Sequence, residues 1–241
     1  MILITRPKKE ANILANILSE QNYKTFTEPL IKFQYLKTKI KNYPKKIFII
    51  TSQQAVVSII NNDCVEELKK AHLAVVGNSV KESLANIGVK KINCFGNDSD
   101  ELRKKILKKR NYIFEYLSSN ITNEEFVNYL LSQGIKITLH QTYNTVVKSK
   151  FTKIFLFNLR KNKLKAALFF SKLTAETFLD LINQTMDDEL ALSIKKIQIF
   201  CLSRRISDVF SSSKYCFGDI HTSPVPNQSN LLKLITRYYR D

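Results

Sequence analysis

The sequence predicts an α/β protein built on parallel sheets. Short apolar runs of strand length alternate with helix-period segments along the whole 241 residues. A Ser, Thr or Asn repeatedly stands between such a run and the helix that follows. The pattern also comes in two rounds, one over Lys32–Tyr143 and one in the remainder, which share grammar and not sequence.

The plainest instance is Ile47–Ser58. Ile47–Ile50 has the size and residue type of a buried strand, and Thr51-Ser52 interrupts it. Gln53–Asn61 then places Ala55, Val56, Ile59 and Ile60 on one helical face. A hydroxyl at such a turn caps the unpaired N–H groups of the helix. The same hydroxyl, those N–H groups and the helix dipole also suit an anion.

From the start of the chain, Ile2–Thr5 reads as a strand. Pro7 suits a helix start, and Glu10–Glu20 follows with Ile13, Leu14, Ile17 and Leu18 at helical spacing. Tyr23–Phe26 is the second strand, Lys32–Tyr35 is extended, and Leu36–Tyr43 is predicted as a short helix closed by Pro44. After Ile47–Asn61 comes a polar break at Asn61-Asn62-Asp63. Leu73–Val76 is a strand, Gly77-Asn78-Ser79 its turn, and a helix runs on to Ile87-Gly88. Lys91–Phe95 is a strand. Asp98 or Ser99 caps a lysine-rich helix to Lys109. Tyr112–Leu117 is a strand ending in Ser118-Ser119, and Thr122–Glu125 opens a helix through Leu131 that stops near Gly134.

Ile135–Tyr143 is the longest strand-like run, alternating and β-branched, and Asn144–Lys150 continues it as a polar extended link. Phe151–Lys161 is predicted helical, Ala166–Phe170 a strand turning at Ser171, and Thr174–Ile182 a helix. A polar stretch, Gln184–Glu189, leads to a strand at Ile197–Leu202. Ser203-Arg204-Arg205 is its turn and Ile206–Ser211 its helix. Tyr215–Phe217 is predicted as a short strand. Thr222-Ser223-Pro224 precedes the last helix, Ser229–Tyr239.

Composition narrows the function. The chain carries 38 Lys+Arg against 21 Asp+Glu, a formal net charge of +17. One reading is an anionic partner; the other is lysine on solvated faces in a sequence poor in Gly. The basic residues are scattered and not gathered into a stripe with interleaved aromatics, which argues against a nucleic-acid surface. No apolar run reaches the ~18–20 residues of a membrane helix. The opening MILITRPKK lacks the layout of a signal peptide, so a cytoplasmic protein is expected. Cys64, Cys94, Cys201 and Cys216 are too far apart in sequence for C-x-x-C pairs and read as free thiols. His72, His140 and His221 form no metal-binding spacing. The sequence contains no P-loop, no G-x-G-x-x-G, no G-x-S-x-G and no close carboxylate pair at a strand end. An enzyme of this sequence works by binding and orientation. In open α/β sheets ligands sit at the carboxyl ends of the strands. Those ends are Thr5-Arg6, Thr51-Ser52, Asn78-Ser79, Ser118-Ser119, Ser171 and Ser203-Arg204-Arg205, with Tyr143 closing the long strand.

The set of turns resembles the uroporphyrinogen-III synthase family along essentially the whole chain. The resemblance is carried by Ile2-Leu3-Ile4-Thr5-Arg6-Pro7, by Ile49-Ile50-Thr51-Ser52 followed by Ala55-Val56, and by Val75-Val76-Gly77-Asn78. It continues through Gly134 to Thr142-Tyr143-Asn144-Thr145, Phe169-Phe170-Ser171, Cys201-Leu202-Ser203-Arg204-Arg205-Ile206 and Ser223-Pro224. Order and spacing carry it, since each piece alone is nonspecific. Two places depart from the family pattern: Val80, where many relatives have Thr, and Ser118-Ser119, where the turn usually has Gly.

The resemblance implies two similar flavodoxin-like domains with parallel sheets, one inserted in the other and joined by a two-stranded connector. Residues 1–30 with 148–241 would form the first domain and 33–142 the second, with connectors at 31–32 and 143–147. It implies a lyase that cyclises hydroxymethylbilane with inversion of the last ring and loss of water, giving uroporphyrinogen III without a cofactor. Closing the two domains would curl the substrate and favour the spiro path over uncatalysed closure to the I isomer. Tyr143 is implied as a candidate proton donor. Thr5, Arg6, Ser52, Asn78, Ser79, Ser171, Ser203, Arg204 and Arg205 are the expected substrate-binding residues. The substrate carries eight carboxylates. At ~1 kcal/mol for each helix terminus or cation, the sum is ~8 kcal/mol, about micromolar affinity before ordering costs. A monomer that receives its substrate from hydroxymethylbilane synthase, with no nucleic-acid or membrane partner, is expected. The competing readings are a non-catalytic two-domain binding module for a small polyanion and, on charge alone, a nucleic-acid binder.

Overall fold

Eleven strands and eleven α-helices follow one another along residues 1–240, the part of the chain that the computed structural model describes. The first are β1 (Ile2–Ile4), α1 (Lys8–Glu20), β2 (Thr25–Thr27) and β3 (Ile31–Tyr35). Next come β4 (Lys46–Ile50), α2 (Gln53–Asn61), α3 (Val65–Lys70), β5 (His72–Val76), α4 (Asn78–Asn86) and β6 (Cys94–Gly96). After these are α5 (Ser99–Ile106) with a 3₁₀ turn at Leu107–Lys109, β7 (Ile113–Ser119), α6 (Glu124–Ser132) and β8 (Ile137–Val147). The last are α7 (Lys153–Arg160), β9 (Ala166–Phe169), α8 (Lys172–Thr185), α9 (Asp188–Ile194), β10 (Gln198–Cys201), α10 (Arg204–Ser211), β11 (Ile220–Thr222) and α11 (Gln228–Arg240).

The chain divides into two units, one made of Met1–Lys32 and Val146–Asp241, the other of Phe33–Thr145. The first unit holds a five-stranded sheet in the order β11-β10-β9-β1-β2, parallel throughout. Its inner strands β1, β9 and β10 are buried on both faces over nearly all their length, which is why they read as apolar runs. Leu3, Ala167, Phe169, Ile199 and Cys201 pack one face against Phe155, Phe178 and Phe210. Ile2, Ile4, Ala166, Leu168 and Phe200 pack the other against Leu14, Leu18, Leu231 and Ile235. Burial pushes the Cys201 thiol up to about 12, so it is an inert core residue.

The second unit is built on the six-stranded sheet β3-β8-β7-β4-β5-β6, in which β8, β7, β4, β5 and β6 are parallel neighbours. Phe48, Ile50, Leu73, Val75 and Leu117 face α2 residues Ala55, Val56 and Ile59. Ile47, Ile49, Ala74, Phe114 and Tyr116 face Leu102, Ile106, Phe126 and Leu130. Truncating Phe48 or Phe114, both fully buried, to alanine costs about 3–5 kcal/mol by lost transfer energy and cavity formation. The Leu36 N–H bonds the Thr142 carbonyl and the Lys148 N–H bonds the Leu30 carbonyl, so β3 and β8 run in opposite directions.

Several local expectations are corrected. Leu36–Tyr43 is not helical. Thr38 and Ile40 are buried on a period of two, and Asn62 ties the segment down, accepting from the Thr38 N–H and donating to the Leu36 carbonyl. Two short helices are unexpected: α3 follows the polar break at Asn61-Asn62-Asp63, and α9 begins at the end of the polar stretch Gln184–Glu189; each has acids in its first turn, and Asp187 caps the second. The strand expected at Tyr215–Phe217 lies instead at Ile220–Thr222. Phe217 is apolar because it packs on Phe178 and Phe210 from a loop. Arg204 and Arg205 belong to the first turn of α10, not to the turn before it, and Asn78 and Ser79 likewise open α4.

Candidate active site

In the unit of residues 33–145, the carboxyl ends of β4 and β7 and the far part of β8 bring five hydroxyls together. Ser52 is the N-cap of α2, with extended backbone angles and its Oγ accepting from the Gln54 N–H at 3.1 Å. Thr51 Oγ1 lies 2.7 Å from the Tyr116 hydroxyl. Tyr143 is buried, its ring edge-on to Phe33 at 5.9 Å. Its phenol lies among the hydroxyls of Ser52 and Ser119. Burial raises the Tyr143 pKa above its ordinary value, and those two hydroxyls partly offset this. Burial likewise raises Tyr116, with Thr51 opposing and Tyr143 adding to the shift. Nearby, the Tyr35 hydroxyl and Gln54 Oε1 are 2.5 Å apart. The site is neutral: a phenol kept protonated among hydroxyl groups.

Tyr143 reaches this cluster through a β-bulge. Ser118 pairs with Gln141 and Ser119 pairs with Tyr143, so Thr142 is an extra residue on β8. Strict alternation would put Tyr143 on the sheet face of Ile137. The bulge places it in the other core, beside Leu117 and Phe33. Asn78 and Ser79 are exposed at the next strand end, where Gly77, at a φ of 84°, stands at the N-cap position and leaves α4 without a side-chain cap. Gln53 Nε2 reaches the Ser79 carbonyl at 3.5 Å, which links the first turns of α2 and α4. Val80 points into the core, so the hydroxyl expected there has no counterpart in that position.

The other unit offers cations. Arg6 follows β1, lies 4.4 Å over the Phe170 ring and donates to Gln228 Oε1 at 2.6 Å. Burial lowers its pKa and Glu10 acts the other way. Thr5 is fully buried and its hydroxyl donates to the Leu168 carbonyl at 2.7 Å, so it braces the strand end. Ser171 caps α8 by accepting from the Thr174 N–H at 3.2 Å. Ser203 stands at the N-cap of α10 without a capping bond from its side chain. Arg204 and Arg205 are exposed, and Arg204 pairs with Asp208 at 3.2 Å.

Sequence reasoning missed Thr51, Tyr116 and Ser119 as partners of the named residues. It also missed Glu28, a buried carboxylate held by Lys148 Nζ at 2.6 Å and by the Thr152 N–H and hydroxyl. Thr51 and Ser119 had a signal, since both stand at strand ends. Glu28 had none, because its partners lie more than a hundred residues away. Among the described residues, no group of three His, Cys, Asp or Glu is placed to hold a metal ion, and no helix is long and apolar enough to cross a membrane.

The family model described as uroporphyrinogen-III synthase HemD matches residues 12–233. A crystal structure of uroporphyrinogen-III synthetase from Helicobacter pylori superimposes with a TM-score of 0.66 at 16% identity, covering 98% of each chain. A mutant uroporphyrinogen III synthase from the extremely thermophilic bacterium Thermus thermophilus gives 0.63 at 11% identity, covering 99% of this chain and 98% of that one. A search of curated proteins returns no match. The structural likenesses establish a shared fold, and the family match over most of its length establishes that this chain belongs to the uroporphyrinogen-III synthase family.

Proposed function

We propose that the chain performs its family's reaction, the cyclisation that yields uroporphyrinogen III for haem biosynthesis, with Tyr143 as the proton donor. The activity itself comes with family membership. The observation that supports the donor role is the buried phenol, paired across the strands with Ser119 and set among hydroxyl groups. The substrate we assign is hydroxymethylbilane, and the residues suit it in two ways.

First, the reaction begins with departure of a hydroxyl group. The phenol proton passes to that oxygen, the carbon–oxygen bond breaks with the pyrrole nitrogen's electron pair behind it, and water leaves. The resulting azafulvene is attacked by the substituted carbon of the last ring to give a spiro centre, which fragments and recloses with that ring inverted. The proton lost from ring carbon at closure restores the phenol. General acid help of this kind contributes roughly 10²–10⁴-fold; the rest is positioning.

Second, the substrate's carboxylates need donors. In one unit Arg6, Arg205 and the N-termini of α8 and α10 are available; in the other, those of α2 and α4. Thr5 serves this site as a brace. We assign the domain boundaries implied by the resemblance, with β3 and β8 as the connector. We also propose that the protein acts as a monomer in the cytoplasm and accepts its substrate from hydroxymethylbilane synthase.

The test is a coupled assay. Hydroxymethylbilane is generated in place, the protein is added, and the oxidised porphyrins are separated by isomer. An excess of isomer III over the control without protein is expected. Isomer I alone, from a folded protein with active substrate, would overturn the proposal.

A further inference from the structure

Ser119 is the residue directly across from Tyr143 in the β7–β8 pair, immediately after the bulge. Both are buried. The bulge itself is pinned: the Thr142 carbonyl accepts from the Leu36 N–H at 3.0 Å and from the Ser58 hydroxyl at 2.7 Å. The backbone that carries the phenol is therefore held opposite Ser119.

A serine hydroxyl has one hydrogen and two lone pairs. In Ser119 the hydrogen goes to the Ile121 carbonyl at 2.6 Å, and one lone pair takes the Ile121 N–H at 3.1 Å. The second lone pair is the one left for the phenol. The Ile121 carbonyl belongs to an exposed turn, so water satisfies it when the Ser119 hydrogen turns away. On the other side, Ser52 Oγ accepts from the Gln54 N–H and keeps its hydrogen for the phenol oxygen.

We propose that Ser119 is a positioning residue for Tyr143. Its hydroxyl accepts from the neutral phenol, then rotates from the Ile121 carbonyl to donate to the phenolate once the proton has gone to the leaving group. No covalent bond changes at Ser119; one O–H rotates, and the charge left on the phenol oxygen is shared between Ser119 and Ser52. This rests on the reading of Tyr143 as donor. Tyr116 of β7 interacts with the phenol electrostatically, and Tyr35 of β3 and Cys64 lie in the same core. Glu115, with Lys46 and His140, lies further back along the same strand pair.

The test is the titration of Tyr143 in the full chain, followed by NMR with ring-labelled tyrosine; Tyr143→Phe identifies its signal among the 10 tyrosines. Ser119→Ala should raise the midpoint by about half to one pH unit, the gain of a hydrogen bond to the charged phenolate over one to the neutral phenol. Ser119→Thr, which keeps the hydroxyl, should restore it. Thr122→Ala is the control for a loosened turn, because the Thr122 hydroxyl holds the Ser119 carbonyl at 2.8 Å without approaching the phenol through Ser119 Oγ; it should leave the midpoint in place. In the isomer assay Ser119→Ala should lower kcat several-fold with KM unchanged. If Ser119→Ala does not fold, Ser119→Gly removes the same hydroxyl and carries the same expectation. An unmoved midpoint in a folded variant, or an equal shift in Thr122→Ala, overturns the role of Ser119. Full activity in Tyr143→Phe instead overturns the donor reading, whatever the midpoint does.

Discussion

The two units present opposite chemistry at the ends of similar parallel strands. In residues 33–145 the strand ends gather a neutral set, Thr51, Ser52, Tyr116, Ser119 and Tyr143, whose phenols burial keeps protonated. In the unit of both chain ends they carry cations, Arg6 on Phe170 and the exposed Arg204 and Arg205. The same strand–turn–helix grammar thus presents buried phenols in one place and cations in the other. A net charge of +17 does not discriminate between them; the local partners do.

If this division is right, substitutions should split by kinetic parameter. Tyr143→Phe should give the largest effect, lowering kcat about 100-fold or more while KM changes less than about threefold, as expected for loss of a general acid. A large rise in KM would place Tyr143 among the binding groups. Arg6→Gln should do the reverse. Loss of one half-buried cation facing a carboxylate should raise KM about tenfold with a smaller change in kcat.

A third contrast sharpens the roles of the hydroxyl turns. Ser171 caps its helix and Ser203 makes no capping bond. Ser171→Ala should therefore cost about 1 kcal/mol in denaturant unfolding, and Ser203→Ala less than about 0.5 kcal/mol. Any loss of activity in Ser203→Ala would then report substrate contact and not helix stability.

The smallest effect is on alkaline stability. The Tyr143 pKa is raised in the folded state from an ordinary value near 10. Its protonated form is favoured by folding, so its contribution is complete below that value and is lost as pH rises through the folded-state pKa. Tyr143→Phe should flatten the fall of stability above about pH 10. An unchanged slope in a pH series of unfolding midpoints would argue against a buried phenol.

The comparison also shows what the sequence can carry. Strands buried on both faces, such as Ile47–Ile50 and Ala166–Phe169, are legible because burial leaves only apolar residues there. The caps at Ser52 and Ser171 are legible, and the structure picks Asp98 from the pair Asp98 and Ser99 and Asn123 from Thr122–Glu125, because only a few side chains reach a helix N-terminus. The non-helical Leu36–Tyr43 was not legible: its backbone is held by Asn62, some twenty residues away. Nor was the side of the sheet on which Tyr143 lies. The period-two pattern of Ile135–Tyr143 assigns it to one face, and a single extra residue, Thr142, sends it to the other. Ser119 escaped notice as a partner of Tyr143 for the same reason, since the register that pairs them exists only in the folded sheet.

The most direct test of the division is binding without turnover. The product, uroporphyrinogen III, keeps the substrate's eight carboxylates and lacks the leaving hydroxyl. Its affinity should be measured anaerobically by calorimetry for the unsubstituted protein, Tyr143→Phe and Arg6→Gln. Tyr143→Phe should bind within about twofold of the unsubstituted protein and Arg6→Gln about tenfold more weakly. Weak binding by folded Tyr143→Phe, or undiminished binding by Arg6→Gln, would contradict the assignment of chemistry to one unit's phenol and carboxylate contact to the other's arginine.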